Sequence, residues 1–137
     1  MKNLFLDTNI VIDLLAKREP FYQSAAQLFS LADKMKLQLC VSALTFANTN
    51  YILLKERKPE EAKLILRKLK LLVKVISLDD KIIGLSLNDS DFKDYEDAMQ
   101  YYSALENGVD MIITRNLKDF QKSKIPVLTA EQYLQRI

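Results

Sequence analysis

An α/β fold, a parallel sheet covered by helices on both faces, is predicted by three features of this 137-residue sequence. Short apolar runs recur at 4–6, 37–41, 73–78, 110–114 and 125–128, each of a length suited to a buried strand. Stretches with apolar residues at helical spacing separate them, and that alternation is the pattern of parallel sheets. The first run stops at an acid, Asp7, which places a polar group at the carboxyl edge, where open α/β sheets hold their ligand crevices.

The elements follow in order. Leu4, Phe5 and Leu6 form the first strand, and Ile10 to Ala16 a short helix that ends near Lys17-Arg18-Glu19-Pro20. Pro20 suits the start of a second helix, with Phe21, Ala25, Leu28, Phe29, Ala32 and Met35 along one stripe. After the strand at 37–41, Ser42 is placed to cap a third helix to about Lys55, and Pro59 opens a fourth through about Leu72. A third strand at 73–78 leads to a helix from Asp79-Asp80 through Leu87, and Asn88 to Asp91 is a polar break. The next helix spans about Asp94 to Asn107, with Ala98, Tyr101, Tyr102 and Leu105 inward and Gly108 as its stop. The fourth strand is 110–114. Ile125-Pro126-Val127-Leu128 reads as an edge strand, because proline cannot donate to an interior ladder. Thr129 caps a last helix, with Glu131 and Gln132 in reach for a capping role. Without repeats, low-complexity stretches or linkers, residues 1–137 are expected to form one domain.

Composition narrows the chemistry. Hydrophobic content of 49% and charged content of 28% are ordinary for a globular chain, and charge interrupts every apolar run before it could span a membrane. Met1-Lys2-Asn3 leads straight into a strand, so no signal peptide is expected. The single cysteine, Cys40, lies in an apolar run and permits neither an internal disulfide nor a thiolate zinc site. A cytoplasmic protein is the expectation. The sequence has no histidine, which removes Ser-His-Asp and Cys-His machinery and His-ligated metals. Its two glycines, Gly84 and Gly108, cannot build a phosphate-cradling loop or a dinucleotide fingerprint. Carboxylates, hydroxyls, amides, Lys and Arg remain, and clustered carboxylates suit hard cations such as Mg²⁺ or Mn²⁺. The net charge of +2 is uninformative, but bases gather between Lys55 and Lys74 and acids between Asp79 and Asp97. Such zones suit a polyanion held near a cation, or Lys63 to Lys70 form only the solvated face of a helix.

Asp7 ends strand one, Asp94 and Asp97 open the helix before strand four, and Asp119 follows strand four. A parallel sheet brings all of them to one edge. Carboxylates around one crevice repel each other, and a divalent cation relieves that repulsion, acidifies water and offsets charge on a phosphodiester.

The segments LFLDTNIVIDLL, VSALTFANTNYIL, DFKDYEDAMQYYSALENGVDMIITRNLKDF and IPVLTAEQYL resemble the PIN domain, and above all the toxins of VapBC toxin–antitoxin pairs, over essentially the whole chain. The resemblance implies a three-layer α/β/α sandwich with a mainly parallel five-stranded sheet. It also implies a hydrolase that cleaves RNA phosphodiesters with water activated by Mg²⁺ or Mn²⁺. By position Asp7, Asp97 and Asp119 match the family's acids, and Thr114 matches a small polar residue near the metal. The family's second acid, a glutamate on the helix after strand two, is replaced: the stretch reads Ser42-Ala-Leu-Thr-Phe-Ala-Asn48. An amide brings no negative charge and is a poor base, so a catalytically weakened module that binds RNA or protein is the alternative. Asp94, one turn before Asp97, is a candidate for the missing acid.

Each residue also has a purely structural reading. Asp7 could cap the first helix; Asp94 and Asp97 could form a capping box; Asp119 could shape the turn from Asn116; Asn48 could be a buried amide bonded to backbone. Thr8 and Asn9 are turn formers or supports of Asp7. Arg115 grips a substrate phosphate or simply ends a strand. A phosphoryl-acceptor role for Asp7 is disfavoured, since position 9 is Asn and no acidic pair precedes Asp7. The resemblance further implies a small antitoxin partner, which inserts a peptide near the crevice, and a homodimer through the first helices.

Overall fold

Leu4, Phe5 and Leu6 are wholly buried, as the first apolar run requires, and they form the centre of the sheet. The structure, a computed structural model, describes residues 1–137. In chain order its elements are β1 (Lys2–Leu6), α1 (Thr8–Leu15), α2 (Tyr22–Asp33), β2 (Leu37–Ser42), α3 (Ala43–Leu53), α4 (Pro59–Leu72) and β3 (Val73–Ile76). Then come α5 (Asp80–Leu87), α6 (Tyr95–Glu106), β4 (Met111–Ile113), a 3-10 turn (Leu117–Phe120), β5 (Val127–Leu128) and α7 (Ala130–Gln135). The five strands are all parallel, in the order β3-β2-β1-β4-β5. From β1 the chain winds outward to β3, then crosses back to β4 on the other side of β1. The carboxyl ends of β1 and β4 therefore flank the point where winding reverses, the place such sheets hold ligands.

Alternation along β1 divides the core. Leu4 and Leu6 join Ile10, Val11, Leu28, Leu69 and Tyr133 on one face, with α1, α2, α4 and α7. Phe5 joins Phe92, Ala98, Tyr101, Ala104 and Phe120 on the other, with α6. The three layers match the predicted sandwich. In the second core Phe92 stacks on Tyr101 at 4.7 Å and meets Phe120 edge-on at 5.9 Å. These rings anchor the loops that carry Asp94 and Asp119, and such pairs add about 1 kcal/mol beyond the area they bury.

Several expectations are corrected. The second helix begins at Tyr22, because a turn closed by the Phe21 N–H donating to Arg18 O at 3.0 Å comes first and Pro20 lies within it. Met35 is off the stripe: it is 77% exposed and turns the chain with a φ of 59°. Ser42 starts α3 but makes no side-chain cap; its buried hydroxyl donates to Gln100 instead. β3 stops at Ile76 because its partner β2 ends at Ser42, which leaves residues 77 and 78 nothing to pair with. α1 starts two residues earlier than expected, at Thr8, because Asp7 caps it; α3 ends at Leu53, and β4 and β5 pair only over Met111–Ile113 and Val127–Leu128. α4 covers Pro59–Leu72, opened by proline and a Lys58–Glu61 bond. Gly108 ends α6 at a φ of 62°, a left-handed conformation that glycine adopts without strain. Thr129 and Gln132 form the capping box of α7. Cys40 is buried, and burial pushes its thiol up. No helix is long and apolar enough to cross a membrane.

Candidate active site

Asp7 caps α1 with one carboxylate oxygen and joins β1 to β4 with the other. Its Oδ1 accepts from the Thr8 backbone N–H at 2.8 Å, which caps α1. Its Oδ2 accepts from the Thr114 hydroxyl at 2.8 Å and from the Asn9 amide at 3.3 Å. The backbone N–H of Asp7 reaches Ile113 O at 3.0 Å, so the ends of β1 and β4 are joined twice. Thr8, Asn9 and Thr114 thus all support one carboxylate that is only 7% exposed. Burial pushes Asp7 above its ordinary 3.8; the bonds from Thr114, Thr8 and the nearby Gln100 amide oppose that rise, and the charge of Asp119 adds to it.

Beneath Asp7 lies a polar network that the sequence did not reveal. Gln100 Nε2 donates to the hydroxyls of Thr8 and Thr45, each at 3.1 Å, and its Oε1 accepts from Ser42 at 2.7 Å. Thr8 and Thr45 are bonded to each other at 2.9 Å. One amide therefore ties the middle of α6 to the starts of α1 and α3. The only sequence signal was spacing: Gln100 lies three residues after Asp97, on the same side of α6.

Asp94 caps α6, accepting from Glu96 N at 2.7 Å, an arrangement typically worth about 1 kcal/mol. Asp97 is not part of that cap, so the alternative reading of the two acids as a capping box does not hold. It is half-buried and pushed up to about 7, first by burial and then by the charges of Asp7, Asp94, Asp119 and Glu96. Asp119 sits in the 3-10 turn, its N–H bonded to Asn116 O at 3.0 Å, and buried Phe120 holds that turn against the core. An open cleft of about 480 Å³ brings together Asp94, Asp97 and Asp119, with Lys93, Lys118 and Lys122 around them and no apolar side chain in its lining. The cations at the acids are thus these three lysines. Lys63, Arg67, Lys68 and Lys70 are exposed on α4, far along the sheet beside β3, and form a solvated helix face.

Two further residues find unexpected partners. Asn48 is bonded to a side chain and not to backbone: its Nδ2 donates to Glu96 Oε1 at 2.9 Å. Arg115 is held by Asp13, Nε to Oδ2 at 2.8 Å, and lies 4.2 Å over the ring of Phe21. Asp13 is 1% exposed and its Oδ1 has no partner. Arg115 therefore has a structural role whatever else its remaining N–H groups do.

The donor set is oxygen throughout, the chemistry of hard cations, and the mutual repulsion felt at Asp97 is what such an ion relieves. As the side chains stand, no three acids converge on one point at ligand range.

Fold and site define an α/β protein with acids gathered at the carboxyl edge of a parallel sheet. The sequence profile of the PIN domain matches residues 3–118, and the chain belongs to the PIN domain family. Ribonuclease VapC1 of Aquifex aeolicus (strain VF5) is 28% identical over 142 aligned positions, covering 98% of this chain and 95% of that protein. A toxin–antitoxin complex from Klebsiella pneumoniae contains a chain of similar structure, with a TM-score of 0.69 and 25% identity over 93% of this chain and 97% of the other. VapBC2 from Rickettsia felis, bound to a DNA fragment from its promoter, superposes with a TM-score of 0.69 over 92% of this chain and 96% of that one, at 19% identity.

Proposed function

We propose that this chain is a divalent-cation-dependent endoribonuclease, the toxin of a toxin–antitoxin pair, acting in the cytoplasm. One observation carries the reading: Asp7, Asp97 and Asp119, far apart in sequence, come to the carboxyl edge of one sheet beside a cleft ringed by lysines. Similarity to a ribonuclease over nearly the whole chain supports it. Solved relatives that are toxin–antitoxin complexes favour a small antitoxin partner, and a homodimer belongs to the same reading.

Asp7, Asp97 and Asp119 would hold Mg²⁺ or Mn²⁺, with Asp94 at the rim. When bound, the ion lowers the pKa of water and offsets charge that builds on the phosphoryl oxygens. The chain itself does the rest. Thr8, Asn9 and Thr114 keep Asp7 oriented as a carboxylate. Lys93, Lys118 and Lys122 attract the RNA backbone by charge, and Arg115 can add a contact through the N–H groups Asp13 leaves free. Proton and cation compete at Asp97, whose carboxyl lies at about 7.

The test is incubation of the purified protein with structured and unstructured RNAs in Mg²⁺ or Mn²⁺. Cleavage should stop with chelator and fall on the order of 100-fold or more in Asp7→Asn. No cleavage by wild type or by Asn48→Glu overturns the reading.

A second reading, an RNA- or protein-binding module without turnover, is favoured by the amide at position 48 and by the unconverged acids. It expects RNA binding that weakens with salt and ignores chelator. Turnover that Asp7→Asn abolishes refutes it.

A further inference from the structure

The basic zone that begins at Lys55 divides at Pro59. Its α4 share is a solvated helix face, but Lys55 and Arg57 lie before that helix, in the turn that follows α3. They meet Arg18, in the turn that follows α1, around an open groove of about 360 Å³. Glu56 is the one acid in its lining, and Leu15 and Ile52 are among its apolar residues. Hydrogen bonds hold both turns: the Arg18 N–H donates to Asp13 O at 3.1 Å and the Arg57 N–H to Leu53 O at 3.0 Å. All three cations are exposed, and the chain's ion pairs, Lys81 with Glu106 and Arg115 with Asp13, involve none of them.

An aromatic side chain stands beside them. Tyr51 is 68% exposed on α3, and Lys55 Nζ lies 5.3 Å from its ring centre. A ring has two faces, and this exposure leaves one of them open. Asn48, Tyr51 and Lys55 follow one stripe of α3 and its last turn at helical spacing. At the head of that stripe Asn48 is bonded to Glu96, the neighbour of Asp97, at 2.9 Å. Lys55 lies about 10 Å further along. The stripe therefore runs from the acidic crevice to the basic groove. Cations past a helix end also offset its free carbonyls. That role calls for no exposed ring, no groove and no line back to the acids.

We propose that this stripe is a track for the RNA substrate: Tyr51 stacks on an unpaired base, and Arg18, Lys55 and Arg57 hold the phosphates beside it. The inference rests on the ribonuclease reading above and deepens it, since it names the substrate as single-stranded. A base can stack on a side chain only where it is splayed from its own strand, and every base offers such a face. The cations alone fit any polyanion. The open ring beside them favours a nucleic acid over an acidic protein segment.

The experiment is fluorescence anisotropy of a labelled short oligoadenylate, and of an RNA duplex of equal length, with the full chain in chelator. The variants are Tyr51→Ala, Tyr51→Phe and the triple change Arg18→Gln, Lys55→Gln and Arg57→Gln. Thermal melts check that each folds; all four side chains are exposed, so their replacement leaves the core untouched. Tyr51→Ala is expected to weaken single-strand binding about tenfold, and Tyr51→Phe to stay within about threefold of wild type, since the stacking face remains. The triple variant should lower the salt slope by about 2, at about 0.7 for each of three phosphates. Duplex binding should be weaker and indifferent to Tyr51. Tyr51→Ala that binds the single strand as wild type does, in a chain that cleaves RNA with Mg²⁺, overturns the track and leaves the ribonuclease reading standing. A triple variant that loses stability but keeps its affinity and salt slope assigns the cations to the helix ends and also overturns it. Polyglutamate bound as tightly as RNA, with Tyr51→Ala neutral toward both, makes the occupant an acidic protein segment and overturns it too. Weakening by Tyr51→Ala in a chain that cleaves no RNA supports the track and overturns the catalytic reading alone.

Discussion

The Thr114 hydroxyl donates to Asp7 Oδ2 at 2.8 Å across 107 positions of sequence, binding the end of β4 to the end of β1 where the winding of the sheet reverses. Thr114 is fully buried, so its hydroxyl has no water to turn to. Thr114→Val keeps the shape and removes the donor. Stability should fall by about 1.5–3 kcal/mol, the range for a hydrogen bond to a charged group, measured by denaturant melts at pH 8. RNA cleavage should fall with it, because Asp7 loses the bond that most opposes its burial.

Gln100 makes a larger stake on fewer atoms. Gln100→Leu leaves the buried hydroxyls of Ser42 and Thr45 without their amide partner. The expected loss is about 2–6 kcal/mol, from two groups at roughly 1–3 kcal/mol each. Thermal melts check it, and a variant as stable as wild type would show that the network contributes nothing.

Asp13 and Arg115 separate a structural role from a phosphate contact. Burial raises Asp13 and the Arg115 guanidinium opposes that rise. Arg115→Met strands a buried carboxylate, and breaking such a pair costs about 3 kcal/mol or more. Asp13→Leu combined with Arg115→Met should recover most of the loss, since the cost lies in the unpaired charge. If the double variant regains stability but not RNA affinity, Arg115 also contacts the substrate.

The pH dependence of the metal-free protein follows from Asp97, which lies at about 7 in the folded chain against an ordinary 3.8. Between those values the folded state binds the proton more tightly, so its contribution is full below about 4 and is lost as pH rises through about 7. Asp7 and Asp13 are raised as well and act in the same direction. The melting temperature should therefore fall from pH 5 to pH 8. Asp97→Asn should flatten that slope and melt higher than wild type at pH 8. Added Mn²⁺ should restore wild type at pH 8 and leave Asp97→Asn little changed.

Most elements were legible because their signals are local. α4 begins and ends at the predicted residues, since the proline in its first turn is read in place. Asp7, at the end of the first apolar run, and Gly108, after α6, follow from the same kind of reading. Where neighbours compete, local reading failed. Ser42 has the residue type and backbone of a cap, yet Gln100, 58 positions away, takes its hydroxyl.

The sequence by itself determined the strands, the helices and the identity of the acids, because apolar period and cap chemistry act within a turn or two of chain. Only the tertiary structure decided who meets whom: Asn48 with Glu96, Asp13 with Arg115, Gln100 with Ser42, Thr8 and Thr45, and three lysines with the acidic cleft. The reason is the return from β3 across β1 to β4, which brings α6 and the loop after β4 against α1 and α3. Hydrogen bonds of that kind reach about 3 Å and depend on strand order, which no periodicity encodes. Position 48 shows the difference most clearly: in the sequence it is an acid missing, and in the fold it is an amide holding one.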